Sequence, residues 1–293
     1  MPVLYKAILL LLALLVGSLT QGTSLDLVLA FSLILIMGIP HGATDHYLFN
    51  LLTEKKNLKK PGKVFILIYL SLMAAYSALW YFFPALSLVI FLVISAYHFG
   101  ETQFLYLKKE DWPAKALYLS WGTLVLLLIL RSDTDFLETL IVPYLIDPSV
   151  FQWVELYGMY CSGFLLMATL VLLLVVRRNR IPKELAELAI IYILSSNLSL
   201  LLSFAIFFAF WHSRDSAVAQ LVGIRKTYQK FLWRNWLSLT LPFTAISVVG
   251  IALLVGVFYF ISSPLPLITL FFILIALITL PHVFVMSRFY QRA

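Results

Sequence analysis

Cysteine is nearly absent. Cys161 is the single one in 293 residues, which excludes a disulfide framework within the chain. It lies inside an apolar run, where a small thiol is expected to act as a packing residue. Charge is also scarce: 12% of residues are charged and 62% are hydrophobic, with a mean hydropathy of +0.97. A soluble domain of this length needs far more polar surface, so the composition points to an integral membrane protein. The near-continuous apolar stretches predict a single membrane domain over 1–293. Internal repeats, low-complexity tracts, a Gly-rich phosphate loop and a Gly-x-Ser-x-Gly elbow are all missing from the sequence, which removes the common nucleotide-binding and serine-hydrolase signatures. The net charge of +7 does not indicate nucleic acid, because the basic residues sit in short loops between apolar segments, as membrane topology alone produces.

What remains is a succession of apolar windows about 20 residues long. They predict an all-α, polytopic transmembrane helical bundle of about 8–10 spans, best divided into ten: 6–22, 25–50, 64–83, 86–107, 114–131, 150–176, 184–199, 201–223, 236–261 and 265–288. The second is too long for one straight span, so Gly38 and Pro40 are expected to kink or divide it. Only Ser195-Ser-Asn-Leu-Ser199 marks a turn between the seventh and eighth. With both termini cytoplasmic, 19 of the 21 basic residues fall in inner segments or at their edges. The outer segments hold only Arg131, beside Asp133, Asp135 and Glu138. This asymmetry is the positive-inside pattern of a cell inner (plasma) membrane protein. Residues 1–22 admit a second reading as a signal peptide, with Lys6, a short apolar core and Gly17-Ser18; its removal would leave nine spans in the same orientation.

Histidine is rare too, and its placement is informative. The five are His41, His46, His98, His212 and His282, all in or at the edge of apolar segments. Buried polar groups in such places are costly unless paired, and mark function. Counted from the outer ends of their spans, His41 lies 16 residues in, His98 12, His212 11 and His282 17. At ~1.5 Å rise per residue these are roughly 17–26 Å deep. Four helices thus carry an imidazole into a similar layer. A lone histidine in a membrane helix is more often an interhelical hydrogen bonder, but four at one depth favour a shared metal site. His46 is i+5 from His41 and off its face, so it ranks as a substitute ligand.

Three histidines have a carboxylate one turn on: Asp45 after His41, Glu101 after His98, Asp215 after His212. Such spacings share a helix face, and a metal-bound imidazole often donates its second N–H to a carboxylate. Asp215 has Arg214 as an alternative partner. All-imidazole ligation suits Fe, Zn or Cu, and the lack of nearby thiolates disfavours a closed structural zinc site. A hydrocarbon setting, where apolar substrates and O₂ partition, favours non-haem Fe(II) oxygen chemistry. Two other readings stand beside it: a bis-histidine haem or quinone electron-transfer protein, and a proton-coupled transporter using Asp45, Glu101 and Asp215. Aromatic residues crowd the histidines, and Tyr97, Phe207, Phe208 and Trp211 are candidates to line a tunnel for a large apolar ligand. All the lysines are read as lying in or next to inner loops, which excludes an opsin-like Schiff base in mid-span.

Four motifs also carry a resemblance. Pro40-His-Gly-Ala-Thr-Asp-His46, Tyr97-His-Phe-Gly-Glu101, Trp211-His-Ser-Arg-Asp-Ser216 and Leu280-Pro-His282 together resemble the Brp/Blh family of membrane β-carotene 15,15′-dioxygenases, in order from about residue 25 to 290. The resemblance implies a polytopic helical protein that cleaves β-carotene, or a related carotenoid, with O₂ at the central double bond to give retinal. It implies Fe(II) held by histidines, a place in the lipid bilayer, and a functional link to a microbial rhodopsin that uses the retinal. His41, His98 and His212 match the family's iron-ligand motifs. The family pattern has a further histidine one turn after the Trp-His pair, where this chain has Ser216. The fourth ligand is therefore expected to be His282, with His46 as substitute.

Overall fold

A computed structural model describes residues 2–54, 60–107, 111–141, 149–260 and 267–292. Lys55, Lys56, Lys59, Lys108 and Lys109, counted above among the inner basic residues, lie outside the described residues, as does the start of the tenth expected span. The described elements are helices, without a strand among them. In chain order they are α1 (Val3–Thr20), α2 (Ser24–Leu33), a π-helical turn (Ile34–Gly38), α3 (Ile39–Gly42), α4 (Asp45–Thr53), α5 (Pro61–Phe82), α6 (Pro84–Gln103), α7 (Trp112–Leu130), α8 (Thr134–Ile141) and α9 (Ser149–Arg177). Next come a 3₁₀ turn (Arg178–Arg180), α10 (Ile181–Asn197), α11 (Leu200–Phe207), a second π-helical turn (Phe208–Ser213), α12 (Arg214–Thr227), α13 (Trp233–Phe260) and α14 (Leu267–Arg292).

Local chemistry sets many of these boundaries. Proline opens α5, α7 and α10 in the first turn, where its missing N–H costs nothing and its fixed φ suits the helix. Asp111 caps α7 by accepting the Ala114 N–H at 3.1 Å, and Ser199 caps α11 through the Leu202 N–H at 3.3 Å; each satisfies one of the orphan donors at a helix start. Gly22, at φ +77°, makes the left-handed turn between α1 and α2 that a side chain would resist.

Eight helical stretches among the described residues are long and apolar enough to cross a membrane: Val3–Thr20, Ser24–Thr53, Pro61–Phe82, Pro84–Gln103, Trp112–Leu130, Leu156–Asn197, Trp233–Phe260 and Ile268–Arg292. Leu156–Asn197 contains two of the expected spans, α9 and α10, divided at the 3₁₀ turn. The expected span 201–223 is not among the eight. Its helix runs on through Arg214, Asp215, Arg225 and Lys226, so α12 is polar on balance. The second span is expected to kink or divide at Gly38 and Pro40; the chain stays helical there, through the π-helical turn and the short α3, and the turn comes later, at Ala43–Thr44, within the single apolar stretch Ser24–Thr53. The turn expected near 195–199 is present between α10 and α11.

The chain folds as two compact units, Met1–Ile34 with Leu92–Asp215, and Leu35–Phe91 with Ser216–Ala293. In the first, α7 packs on α9 and α10, α1 on α10, and α2 on α11. Two glycines bring the backbones of α6 and α7 together: a Cβ on Gly100 would stand 1.9 Å from the Tyr118 carbonyl oxygen, and one on Gly122 1.8 Å from that of Ala96. Small residues at such crossings allow the close approach on which packing in lipid depends. In the second unit α4 and α14 pack on α5 and on each other, and α3 packs on α13. The outward faces are apolar, as a lipid-facing surface requires: Leu237, Leu241, Ile246, Val249, Leu253 and Val257 of α13 are all exposed.

Two expectations are corrected here. Cys161 is exposed on α9 and is not a packing residue; an apolar run in a membrane helix has a lipid face as well as a buried one. Lys6, read as a loop residue at the edge of the first span, is inside α1 and 1% exposed. The exclusion of a lysine within a span therefore does not hold for Lys6.

Valine at Gly122 should drive α6 from α7 and lower the melting temperature and monodisperse yield of the detergent-purified protein. Valine at Gly163, whose Cβ would meet nothing within 4 Å, should leave both near wild type.

Candidate functional site

Each unit holds one pair of buried histidines. In the second unit the π-helical turn and the break after α3 set the position of His41 and the direction in which α4 leaves it. The rings of His41 and His282 stand edge to face, with centroids 4.9 Å apart, and both residues are buried. Gly42 lies against the His282 ring: a Cβ there would be 3.7 Å from its Nδ1. His41 Nδ1 donates to the Gly38 carbonyl. A carbonyl can only accept, so this ring carries its proton on Nδ1 and its lone pair on Nε2. His282 Nδ1 is hydrogen-bonded to Asp45, 2.9 Å from Oδ1 and 3.0 Å from Oδ2. Tyr69, on α5, approaches the same carboxylate at 3.4 Å.

Asp45 therefore supports His282, on another helix, where i+4 spacing predicted His41. The spacing argument assumes an unbroken helix, and the turn at Ala43–Thr44 takes Asp45 off the face of His41. The outcome is still an imidazole oriented by a carboxylate, the arrangement common around metal ligands. His46 is half-buried. Its Nδ1 bonds the Ala43 carbonyl at 3.1 Å, and its ring packs on Phe243 with centroids 4.0 Å apart.

In the first unit His98 and His212 form the other pair, with ring centroids 4.7 Å apart, and both are buried. His212 sits in the second π-helical turn. Phe204, Phe208 and His212 stand in a stack, with centroid steps of 5.5 and 5.4 Å, and Phe99 meets the His212 ring at 4.7 Å. π-Helical turns are uncommon and often occur at functional sites. Glu101 Oε2 is 3.9 Å from His98 Nδ1, an ion-pair distance too long for a hydrogen bond. Asp215 takes the Arg214 guanidinium at 2.7 Å, the alternative partner expected for it. Of the aromatic candidates, Phe207 and Trp211 are buried; Phe207 packs with Phe99 and Trp121, and Trp211 with Phe207; Tyr97 and Phe208 are half-buried. Ser216, in the second unit, is fully buried and accepts the Tyr290 hydroxyl at 2.8 Å.

Two polar networks were not anticipated. In the first unit Lys6 Nζ donates to Glu187 Oε2 at 2.5 Å and lies 4.9 Å over the Trp211 ring. Gln103 donates to Glu184 and Glu187 at 2.6 and 3.0 Å, and Lys183 adds a second cation 3.2 Å from Glu187. The network ties α1, α6 and α10 together, five residues from His98 on α6 and next to the neighbour of His212. In the second unit Gln220 bonds around His41. The signals in the sequence were a charge inside an apolar window and a lone glutamine in the α12 pattern.

Buried imidazoles of this kind, without thiolates nearby, can bind a metal such as iron. The family model for beta-carotene 15,15'-dioxygenase matches residues 32–290. The chain belongs to that family. The beta-carotene 15,15'-dioxygenase of uncultured marine bacterium 66A03 is 40% identical over 86 residues, covering 29% of this chain and 31% of that protein. The chain thus spans about a third of the length of the curated relative it matches. No solved structure matches this family member.

Lys6→Met should leave the Glu187 carboxylate short of its closest cation and cost about 3–5 kcal/mol of stability, the usual effect of breaking a buried pair. Adding Glu187→Leu should restore much of the loss. Thermal melts of the single and double variants in detergent check both.

Proposed function

We propose that this protein cleaves β-carotene, or a related carotenoid, at the central 15,15′ double bond with O₂, giving retinal. The observation that carries the reading is the family match over 32–290, a range that includes all five histidines. The metal would be non-haem Fe(II), held by His41, His98 and His212 with His282 as fourth ligand and His46 as its substitute. The donor set supports this: the four principal ligands are buried, and His41 and His282 have Nδ1 engaged by oxygen atoms, which leaves Nε2 as the nitrogen for a metal. Bound iron would supply the activation of O₂ that organic side chains cannot.

The chain's own residues have the remaining tasks. Asp45 orients His282, while Glu101 and Asp215 are proposed to orient ligands or water near His98 and His212. Ser216, engaged by Tyr290, stands where the family pattern has a histidine. Tyr97 and Phe208, with Phe207 and Trp211 behind them, are the candidate lining for the polyene, holding the reacting bond in position. The overall reaction balances without a reductant: each carbon of the cleaved double bond takes one oxygen atom of O₂, giving two aldehydes. Substrate and product are both lipid-soluble, which fits a multi-pass protein of the plasma membrane that supplies retinal to a microbial rhodopsin.

In cells that make β-carotene, expression of the wild-type chain should bleach the pigment and yield retinal by chromatography. Alanine at His41, His98 or His212 should each abolish retinal while the protein still accumulates. Chelation should silence the purified enzyme and Fe(II) restore it. Full activity in all three alanine variants would remove the histidine assignment; a purified wild-type protein with a Soret band would point to haem instead.

A further inference from the structure

Asp45 begins a new helix beyond the turn at Ala43–Thr44, and two side chains meet the His41 carbonyl beside that turn: Gln220 Nε2 donates to it at 2.8 Å, and Thr44 Oγ1 lies 3.0 Å from the same oxygen.

Gln220, on α12, is 0% exposed, and both ends of its amide are engaged, with the single Thr44 hydroxyl proton shared between the amide oxygen and the His41 carbonyl. Oε1 has Thr44 Oγ1 at 3.0 Å and the Trp236 indole Nε1 at 3.0 Å. Nε2 has the His41 carbonyl and, more weakly, Met286 Sδ at 3.6 Å. The orientation of the amide is a consequence of chemistry. An indole N–H can only donate, so it must face the amide oxygen, which turns the NH₂ group toward the His41 carbonyl, an acceptor. Trp236 thus sets the direction of Gln220, and Gln220 sets the direction of the peptide that carries His41.

We infer that Gln220, locked by Trp236 and Thr44, is a positioning residue that fixes the His41 turn and with it the His41 ligand geometry. The inference rests on the reading of His41 as a metal ligand. Gln220 is four residues after Ser216 and outside every motif that carries the family resemblance. Its action is on the backbone of the ligand rather than on the imidazole, whose Nδ1 is held by Gly38.

The test uses the purified full-length protein loaded with Co(II), whose visible d–d bands report ligand geometry, together with metal titrations and carotenoid-cleavage kinetics. Gln220→Glu keeps an acceptor for Trp236 and Thr44 but places a carboxylate oxygen against the His41 carbonyl. Trp236→Phe keeps the glutamine and removes its lock. Both should shift the cobalt spectrum, weaken metal binding about tenfold, as removal of outer-sphere partners does, and lower kcat more than KM. Tyr76→Phe, which removes a buried 2.7 Å bond to the Ser87 carbonyl in the same unit, is the control for simple destabilisation: it should lower the melting temperature and leave the spectrum unchanged. If Gln220→Glu does not fold, Trp236→Phe decides alone. Wild-type spectra and metal affinity in the Gln220 and Trp236 variants, with His41→Ala losing metal, would overturn the positioning role and keep the metal site. Wild-type metal binding in His41→Ala would overturn the reading beneath it.

Discussion

A broken helix in lipid must find new partners for every backbone group the break releases, because each unsatisfied one costs several kcal/mol where no water reaches. The segment from Ile34 to Thr53 lives under that constraint. The π-helical turn, the four-residue α3 and the turn at Ala43–Thr44 interrupt a stretch otherwise apolar enough to run straight through. Around the gap stand Thr44, Gln220 and Trp236, three buried polar side chains with Gln220 bonded to each of the others. The return on this arrangement is directional. The break places His41 on one side of a turn and Asp45 on the other, so that Asp45 reaches His282 on α14. A continuous helix would keep both on one face and leave His282 without its carboxylate.

The first unit solves the same difficulty differently. There the helix is widened rather than broken, and the π-helical turn at Phe208–Ser213 keeps the chain helical while changing its phase. The stack from Phe204 through Phe208 to His212 runs into this turn. Packing and charge tie the rest of the unit together: two glycines allow α6 and α7 to touch backbone to backbone, and Lys6, Gln103, Glu184 and Glu187 bind three helices through a polar cluster. Such a cluster is weak evidence of net stability, since desolvation opposes the attraction, and is better understood as fixing which helix faces which.

Much of this was legible in the sequence, and the failures have a common form. The helical class and the turn before Leu200 come from apolar window length and from residues that break helices; the turn in the second span falls at Ala43–Thr44, a few residues after the Gly38 and Pro40 that suggested it. That His41, His98, His212 and His282 are buried comes from their place within apolar segments. Pairing by i+3 or i+4 spacing did not carry over to Asp45, because the rule holds only within a continuous helix and the break lies between the two residues. Counting basic residues by loop misplaced Lys6, because a cation near the end of an apolar window has two outcomes, the interface or a buried acid, and the acid that decides is 181 positions away. Cys161 failed because hydropathy separates apolar from polar and does not separate a lipid-facing position from a packed one.

Ser216 connects these points to the proposed centre. An imidazole there would need the space and polar contact now taken by the Tyr290 hydroxyl. Tyr290 and His282 are both on α14, so one helix supplies the contact to Ser216 and the contact to Asp45. Within this unit serine, tyrosine, histidine and aspartate make one consistent arrangement, with the imidazole on α14 rather than on α12. A histidine placed at 216 would meet the Tyr290 hydroxyl first, so on the proposed reading His282 on α14, which Asp45 already engages, is the better placed fourth ligand.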